Sequence, residues 1–237
     1  MANALALTKS EKQAFVTRTY GWMAFALLIS AVSAFFTAQS HALLTMLFAN
    51  GQIGFWILCI AEIILVLVLS AKIRTISLGA ATAGFIAYSV IDGITLSSVF
   101  LIFQMDSIAA AFLGSALMFA IMSFYGITTK RDLTTFGTYL MMAVVGVIIA
   151  SLVQFLLSLF TRASFTMFDI LISIATAVIF TGLTAYDSQK VIRTAEYARD
   201  SDDYKKVSIL AALELYLDFI NIFLSLLRLF GKRRESE

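Results

Sequence analysis

The chain has 237 residues, of which 60% are apolar and 14% are charged, and its mean hydropathy is +0.92. Soluble domains average about 45–50% apolar and about 25% charged residues, so these values exclude an ordinary soluble domain and indicate a membrane protein. The net charge of +2 gives no support to a nucleic-acid partner.

Seven stretches of the chain are long and apolar enough to cross the hydrocarbon core of a bilayer, which takes about 20 residues of α-helix. The sequence therefore predicts an all-α, polytopic membrane protein built as a seven-helix bundle. The predicted spans are Tyr20–Gln39, Gln52–Ser70, Ile76–Phe103, Ile108–Ile127, Phe136–Phe160, Thr166–Ser188 and Val207–Phe230. We divide the chain into a cytoplasmic amino-terminal arm (1–19), the transmembrane domain (20–230) and a basic carboxyl-terminal tail (231–237).

Positive charges alternate between the connections. Lys and Arg concentrate in the amino-terminal arm and in the second, fourth and sixth connections, whereas the first and third have none and the fifth has only Arg162. Cytoplasmic connections carry an excess of Lys and Arg, so the amino terminus and the even-numbered connections are predicted to be cytoplasmic. The basic tail breaks this pattern, and the seventh segment could either cross fully or dip in and return. Because Val207–Phe230 contains no Gly or Pro on which to turn, the full crossing is favoured.

Polar residues recur along the seventh segment. Glu214, Asp218, Asn221, Ser225 and Arg228 are spaced by four, three, four and three residues, which places them on one stripe of a helix. A carboxylate inside a bilayer is costly and normally faces protein or water, so it marks a functional site. Glu214 and Arg228 are near enough to the ends to reach the interface by extension of their side chains. Asp218 lies midway and is the strongest candidate.

The sixth segment carries a second polar stripe of Ser173, Thr176, Thr184 and Asp187. Asp187 and Asp218 would then face each other in a medium where two carboxylates do not both ionise easily. With a shared proton the pair would latch the two helices. Without it the pair would repel, open and offer oxygen ligands to a cation such as calcium. A simpler interpretation remains, in which Asp187 is solvated at the cytoplasmic mouth of its helix.

Three further charged residues are secondary candidates. Glu62 lies in the second predicted span and Asp92 in the third, and each could serve an ion pathway or a purely structural pairing. The flanking hydroxyls of Thr95, Ser97 and Ser98 could satisfy Asp92 structurally. Arg74 could pair with a carboxylate such as Asp187, or could be a solvated loop residue.

Small residues four apart predict close helix contacts at two places. These are Gly79 with Ala83 and Gly146 with Ala150. Motifs of zinc proteases, serine hydrolases and phosphate-binding loops are lacking, so the sequence predicts a non-enzymatic protein without a cofactor. Two aspartates are chemically compatible with an intramembrane aspartic protease, but no Gly-Leu-Gly-Asp sequence accompanies them.

Three stretches taken together resemble the Bax inhibitor-1 family, also called the transmembrane Bax inhibitor motif family, and in particular its bacterial inner-membrane branch. They are Tyr125–Leu133, Gly182–Lys190 and Leu215–Gly231. The resemblance covers nearly the whole chain. It implies a multi-pass protein of the inner (plasma) membrane, with the last of seven helices enclosed by the other six. It also implies a proton-sensitive calcium leak whose sensor is a pair of aspartates, and Asp187 and Asp218 match those motif positions.

The resemblance implies two functions. In the first, protonation of the aspartate pair gates a leak for calcium or another cation, and an arginine that trades partners with the pair would most nearly be Arg74. In the second, the protein regulates a membrane protease or a stress response without transport, as is implied by some bacterial relatives. The contact surface would then be the charged Gln189–Lys206 connection or the amino-terminal arm.

Overall fold

A computed structural model of the chain describes residues 9–160, 166–197 and 201–234, and these residues fold into seven helices. The helices are α1 (Lys9–Gln39), α2 (His41–Lys72), α3 (Leu78–Ile102), α4 (Met105–Thr128), α5 (Thr134–Phe160), α6 (Thr166–Ala195) and α7 (Asp202–Phe230). Each contains a stretch long and apolar enough to cross a membrane. The predicted all-α polytopic architecture is therefore confirmed. Arg162, residues 1–8 of the predicted arm and residues 235–237 of the predicted tail lie outside the described residues.

Several helices are longer than the apolar stretches that predicted them. Helix α1 begins at Lys9 within the predicted arm, where Phe15 and Thr19 are already buried. Helix α6 continues to Ala195 and α7 begins at Asp202. Hydropathy marks only the part of a helix that lies in hydrocarbon, whereas backbone hydrogen bonding carries the same helix onward through polar residues.

Helix α2 is interrupted at Gln52, which has a φ of 65°. Few residues other than glycine adopt this left-handed backbone conformation. Two residues later, a Cβ atom on Gly54 would lie 2.5 Å from the carbonyl oxygen of Met46. The chain turns back so closely here that only glycine fits.

The chain forms two compact units. The first comprises residues 1–103, 191–216 and 234–237. In this unit α1 packs closely on α3. The approach is so close that a Cβ atom added to Gly93 would lie only 2.4 Å from the carbonyl oxygen of Ser30. The ring of Trp22 in α1 also meets that of Phe85 in α3 edge to face, with centroids 6.4 Å apart.

The second unit comprises residues 104–190 and 217–233. Here α4 packs closely on α6. A Cβ atom added to Gly126 would lie 2.1 Å from the carbonyl oxygen of Ala185. The contacts predicted at Gly79 and Gly146 are wrong. Adjoining backbone aside, no atom of the described chain lies within 4 Å of a Cβ built on either glycine. A small-residue pair permits close approach, but another helix must also face it.

Helix α7 is the most enclosed of the seven. Of its most apolar window 61% is buried, compared with 6–39% in the other helices. At the other extreme, α2 and α5 are 6% buried and expose apolar side chains suited to contact with lipid. The polar residues of α7 are therefore largely surrounded by protein, which is the condition under which a bilayer protein tolerates them.

The two ends of α7 are fixed at different connections. At its amino-terminal end, Lys206 Nζ donates hydrogen bonds to the carbonyl oxygens of Arg74 (3.2 Å) and Ile76 (3.1 Å), between α2 and α3. Just beyond its carboxyl-terminal end, the amide of Lys232 donates to Ser107 Oγ (3.0 Å), at the start of α4. Helix α7 is one uninterrupted helix from Asp202 to Phe230 and is long and apolar enough to cross a membrane, which agrees with the full crossing favoured by the sequence.

Candidate functional site

The end of α6 from Gly182 to Gln189 is buried on nearly all sides. Glycines in α4 and α5 make this possible, because they bring neighbouring backbone or rings against α6. A Cβ on Gly137 would lie 2.5 Å from the ring of Tyr186, in addition to the contact of Gly126 with Ala185. Asp187 is thereby carried on a segment that is packed into protein.

Gln189 fixes the connection between α4 and α5 to the end of α6. Its Oε1 accepts a hydrogen bond from the amide of Leu133 (2.9 Å), and its Nε2 donates to the carbonyl oxygen of Arg131 (2.7 Å). The neighbouring Ser188 Oγ donates a hydrogen bond to Ser123 Oγ of α4 (3.0 Å). The first two stretches that carry the family resemblance therefore contact each other. The sequence analysis placed Gln189 at the start of the charged connection, whereas the structure buries it within α6, two residues after Asp187.

Both aspartates of the predicted pair are buried. Asp187 is 9% exposed and Asp218 is 3% exposed, so the interpretation of Asp187 as a solvated residue at the helix mouth is not supported. Both lie in the second unit. A carboxylate in such surroundings stays charged only with compensating partners, and otherwise takes up a proton.

Helix α4 contacts the neighbours of both aspartates. Phe219, next to Asp218, meets the ring of Phe119 with centroids 5.9 Å apart. Ser188, next to Asp187, is hydrogen-bonded to Ser123. Because Phe119 and Ser123 are four residues apart, they are separated by about 6 Å along α4. The segments that carry the two carboxylates therefore lie against the same two turns of one helix.

The remaining residues of the predicted stripe on α7 are in part bonded to their own helix. Asn221 Nδ2 donates to the carbonyl oxygen of Leu217 (2.8 Å), and Ser225 Oγ donates to that of Asn221 (2.7 Å). These bonds use donor hydrogens, and the side-chain oxygen atoms keep their capacity to accept. Glu214 is half-buried, and Arg228 is exposed, as expected of an interface anchor.

The secondary candidates lie in the first unit. Asp92 is buried and accepts a hydrogen bond from the phenol of Tyr216, whereas Glu62 Oε1 accepts one from Thr95 Oγ1 (2.5 Å). Arg74 has an exposed side chain, as expected of a loop residue, and its carbonyl oxygen accepts from Lys206. The pairing of Arg74 with the aspartates stays a prediction.

Comparison with known proteins places these residues in a family. The family model described as "Inhibitor of apoptosis-promoting Bax1" matches residues 12–235. The chain belongs to the Bax inhibitor-1 family.

Members of the Bax inhibitor-1 family from distant bacteria resemble the chain along most of its length. An inner membrane protein of Escherichia coli (strain K12), YbhL, is 46% identical over 226 residues, which are 94% of this chain and 93% of the relative. An uncharacterized protein of Borreliella burgdorferi is 43% identical over 226 residues, 95% of this chain and 94% of the relative. One from Deinococcus radiodurans is 36% identical, with the same coverage. With its seven spans, this family member is a multi-pass protein of the inner membrane.

Proposed function

We propose that this protein is a leak pathway for calcium or another cation, opened when Asp187 and Asp218 lose a proton that they share. The observation that carries the proposal is the burial of both carboxylates on segments that lie against the same two turns of α4. Two acids so placed in a medium of low dielectric bind one proton more readily than none.

The proton and the cation would compete for the same oxygen atoms. With the proton bound, a carboxyl group donates a hydrogen bond to its partner and holds α6 and α7 together. Without it, two carboxylates supply at most four of the six to eight oxygen ligands that calcium takes, and hydroxyls, carbonyls and water must supply the others. Such a partial ligand set binds weakly, as ion passage requires. The protein converts no substrate chemically in this proposal.

Calcium flux into proteoliposomes at different pH values tests the proposal. We expect wild-type flux to rise as the pH is raised through the titration of the pair, by at most about tenfold per pH unit if one proton is released. Asp187→Asn and Asp218→Asn keep the size and hydrogen-bonding capacity of the side chain but cannot share a titrating proton. Their flux is expected to be independent of pH.

Asp169→Asn is the matched control. Asp169 is also an acid of α6, but its carboxylate is exposed, where it accepts from Gln154 Nε2 (2.5 Å). This variant is expected to keep the wild-type pH profile. Wild-type flux no greater than that of empty liposomes at every pH, or an unchanged pH profile in Asp218→Asn, would contradict the proposal.

A second candidate function is regulation of a membrane protease without transport. It is favoured by Tyr197, which is 72% exposed in the charged connection between α6 and α7. Exposed aromatic residues are enriched in protein–protein interfaces. If this candidate is correct, Tyr197→Ala weakens cross-linking to the protease, and the wild-type protein shows no flux. If the leak proposal is correct, Tyr197→Ala leaves the flux unchanged.

A further inference from the structure

A second buried acid, Asp92, stands at the end of a chain of hydroxyl groups in the first unit. Tyr216 Oη of α7 donates to Asp92 Oδ2 of α3. The same phenol oxygen lies 2.7 Å from Ser30 Oγ of α1, and either of these two atoms can be the donor. Ser30 Oγ in turn lies 2.8 Å from the carbonyl oxygen of Ser89 in α3. Three helices are thus joined by one continuous chain of hydrogen bonds.

Counting hydrogen atoms shows that this chain has two states. If Asp92 is ionised, Tyr216 donates its single phenol hydrogen to Asp92, and Ser30 can donate to the phenol oxygen. If Asp92 is protonated, the carboxyl group donates to Tyr216, Tyr216 donates to Ser30, and Ser30 donates to the carbonyl of Ser89. The contacts Asp92–Tyr216 and Tyr216–Ser30 are hydrogen bonds in both states, with the direction of donation reversed. Ser30 donates to the carbonyl of Ser89 only when Asp92 is protonated, because its single hydroxyl hydrogen otherwise goes to Tyr216.

The packing around the chain excludes water and fixes its geometry. Ser30, Ser89 and Tyr216 are at most 1% exposed, and Asp92 is 7% exposed. The phenol ring of Tyr216 is held edge to face by Tyr88, with centroids 5.8 Å apart. Gly93 allows α1 to approach closely enough for Ser30 to reach Tyr216, since a Cβ there would meet the Ser30 backbone.

The titratable groups that face Asp92 come from three helices. Glu62 and Cys59 of α2 interact with it electrostatically, as does Tyr88 of α3, and Tyr216 of α7 is its hydrogen-bond donor. Helix α1 contributes the uncharged Ser30 and, beside Gly93, Ser33. Glu62 is bonded to Thr95, so it has its own partner in the same unit. No cationic side chain is among these groups in the described part of the chain, so they supply no counter-ion to the ionised form of Asp92.

We propose that Asp92 is a second proton-binding site, and that a proton bound there reverses the hydroxyl chain Asp92–Tyr216–Ser30–Ser89. The chain reports the protonation of an acid on α3 to α7 and α1, where it decides whether Ser30 donates to Tyr216 or to the carbonyl of Ser89. This site is chemically separate from the Asp187/Asp218 pair and does not require that the protein transports a cation.

Infrared difference spectra of the purified full-length protein, recorded as the pH is lowered, test the proposal. We expect a carbonyl band of a protonated carboxylic acid that is lost in Asp92→Asn and kept in Glu62→Gln. In Tyr216→Phe the band should move, because the carboxyl group loses its hydrogen-bond partner. Tyr139→Phe is the matched control, since Tyr139 is 65% exposed on α5, and the band should stay in place.

The tyrosine C–O stretching band gives a second measurement that does not depend on the folding of Asp92→Asn. This band is sensitive to the hydrogen bonds of the phenol, which donates to a carboxylate when Asp92 is ionised and to a serine hydroxyl when Asp92 is protonated. The band should change with pH in the wild-type protein, and this change should be absent in Tyr216→Phe. The proposal is overturned if Asp92→Asn and Glu62→Gln give the same spectra as the wild type. It is also overturned if the tyrosine band does not respond to pH. Neither result depends on flux, so failure here is distinct from failure of the leak proposal.

Discussion

Gln189 shows how much of this fold depends on one side chain. Its amide group satisfies the N–H group of the buried Leu133 and the carbonyl group of Arg131, both in the connection between α4 and α5. Buried backbone groups left without partners are costly. Gln189, two residues after Asp187, thus positions the segment on which Asp187 is carried.

Replacement of this side chain should destabilise the protein. We expect Gln189→Leu to lower the free energy of unfolding by roughly 1–3 kcal/mol for each backbone group that loses its partner. The measurement is denaturant unfolding of the purified protein in micelles. Gln154→Leu is the control, because Gln154 bonds only to the exposed Asp169 and its loss should cost about 0.5 kcal/mol or less. Equal effects of the two substitutions would be at odds with this role of Gln189.

The sequence could identify individual acids but not the partners of each. Spacing along one helix was sufficient to single out Asp218, and burial agrees with that choice. The bond between Asp92 and Tyr216 joins residues 124 positions apart, and no helical period shows which helix faces which. Tyr216 could have been noted as a phenol within an apolar span, but Ser30 is an ordinary serine until the two helices are packed.

At the level of helices, hydropathy located all seven spans because each must match the thickness of the bilayer. It could not locate the close contacts between helices, which depend on both surfaces. Gly79 and Gly146 have the right spacing to a second small residue and face open space, whereas Gly93 and Gly126 meet backbone of another helix. Glycine therefore marks a close contact between helices at some positions and not at others.

A comparison of two glycines of α3 tests this distinction. Gly93→Ala should destabilise the protein by about 1–3 kcal/mol, because the added methyl group would overlap the carbonyl oxygen of Ser30 and force α1 and α3 apart. Gly79→Ala adds the same methyl group where no atom of the described chain meets it and should be neutral or slightly stabilising. Thermal unfolding of both variants in micelles is the measurement. A Gly93→Ala protein as stable as Gly79→Ala would show that the approach of α1 to α3 is not tight.

For the molecule as a whole, the positions of the two ends of α7 determine which side of the membrane each reaches. The charge pattern could not assign the tail, because basic residues occur beyond both ends of the last span. Long-range bonds at Lys206 and Lys232, which no local pattern shows, attach the two ends of α7 to different connections. Since the connection between α2 and α3 is basic and the one between α3 and α4 is not, we predict that the tail lies on the outer side.

Labelling of single cysteines tests this assignment. In a Cys59→Ala background, we expect Lys232→Cys to react with an impermeant maleimide in right-side-out spheroplasts. We expect Asp202→Cys, at the other end of α7, to react only after the membrane is opened. Reaction of both positions from the same side would contradict the crossing. If Asp202→Cys reacted from outside and Lys232→Cys only after the membrane was opened, α7 would still cross the membrane but in the opposite orientation.

Lys206 carries three hydrogens on its ammonium group and has three acceptors for them, the carbonyl oxygens of Arg74 and Ile76 and, at 2.9 Å, the carboxylate of Asp203. If α7 slid lengthwise by one turn, about 5.4 Å, this ammonium group and the amide of Lys232 would both lose their acceptors. A lengthwise shift of α7 would therefore cost these hydrogen bonds. If the proposed leak exists, we expect it to open through rearrangement of side chains on α7 or through movement of other helices, and not through a sliding of α7.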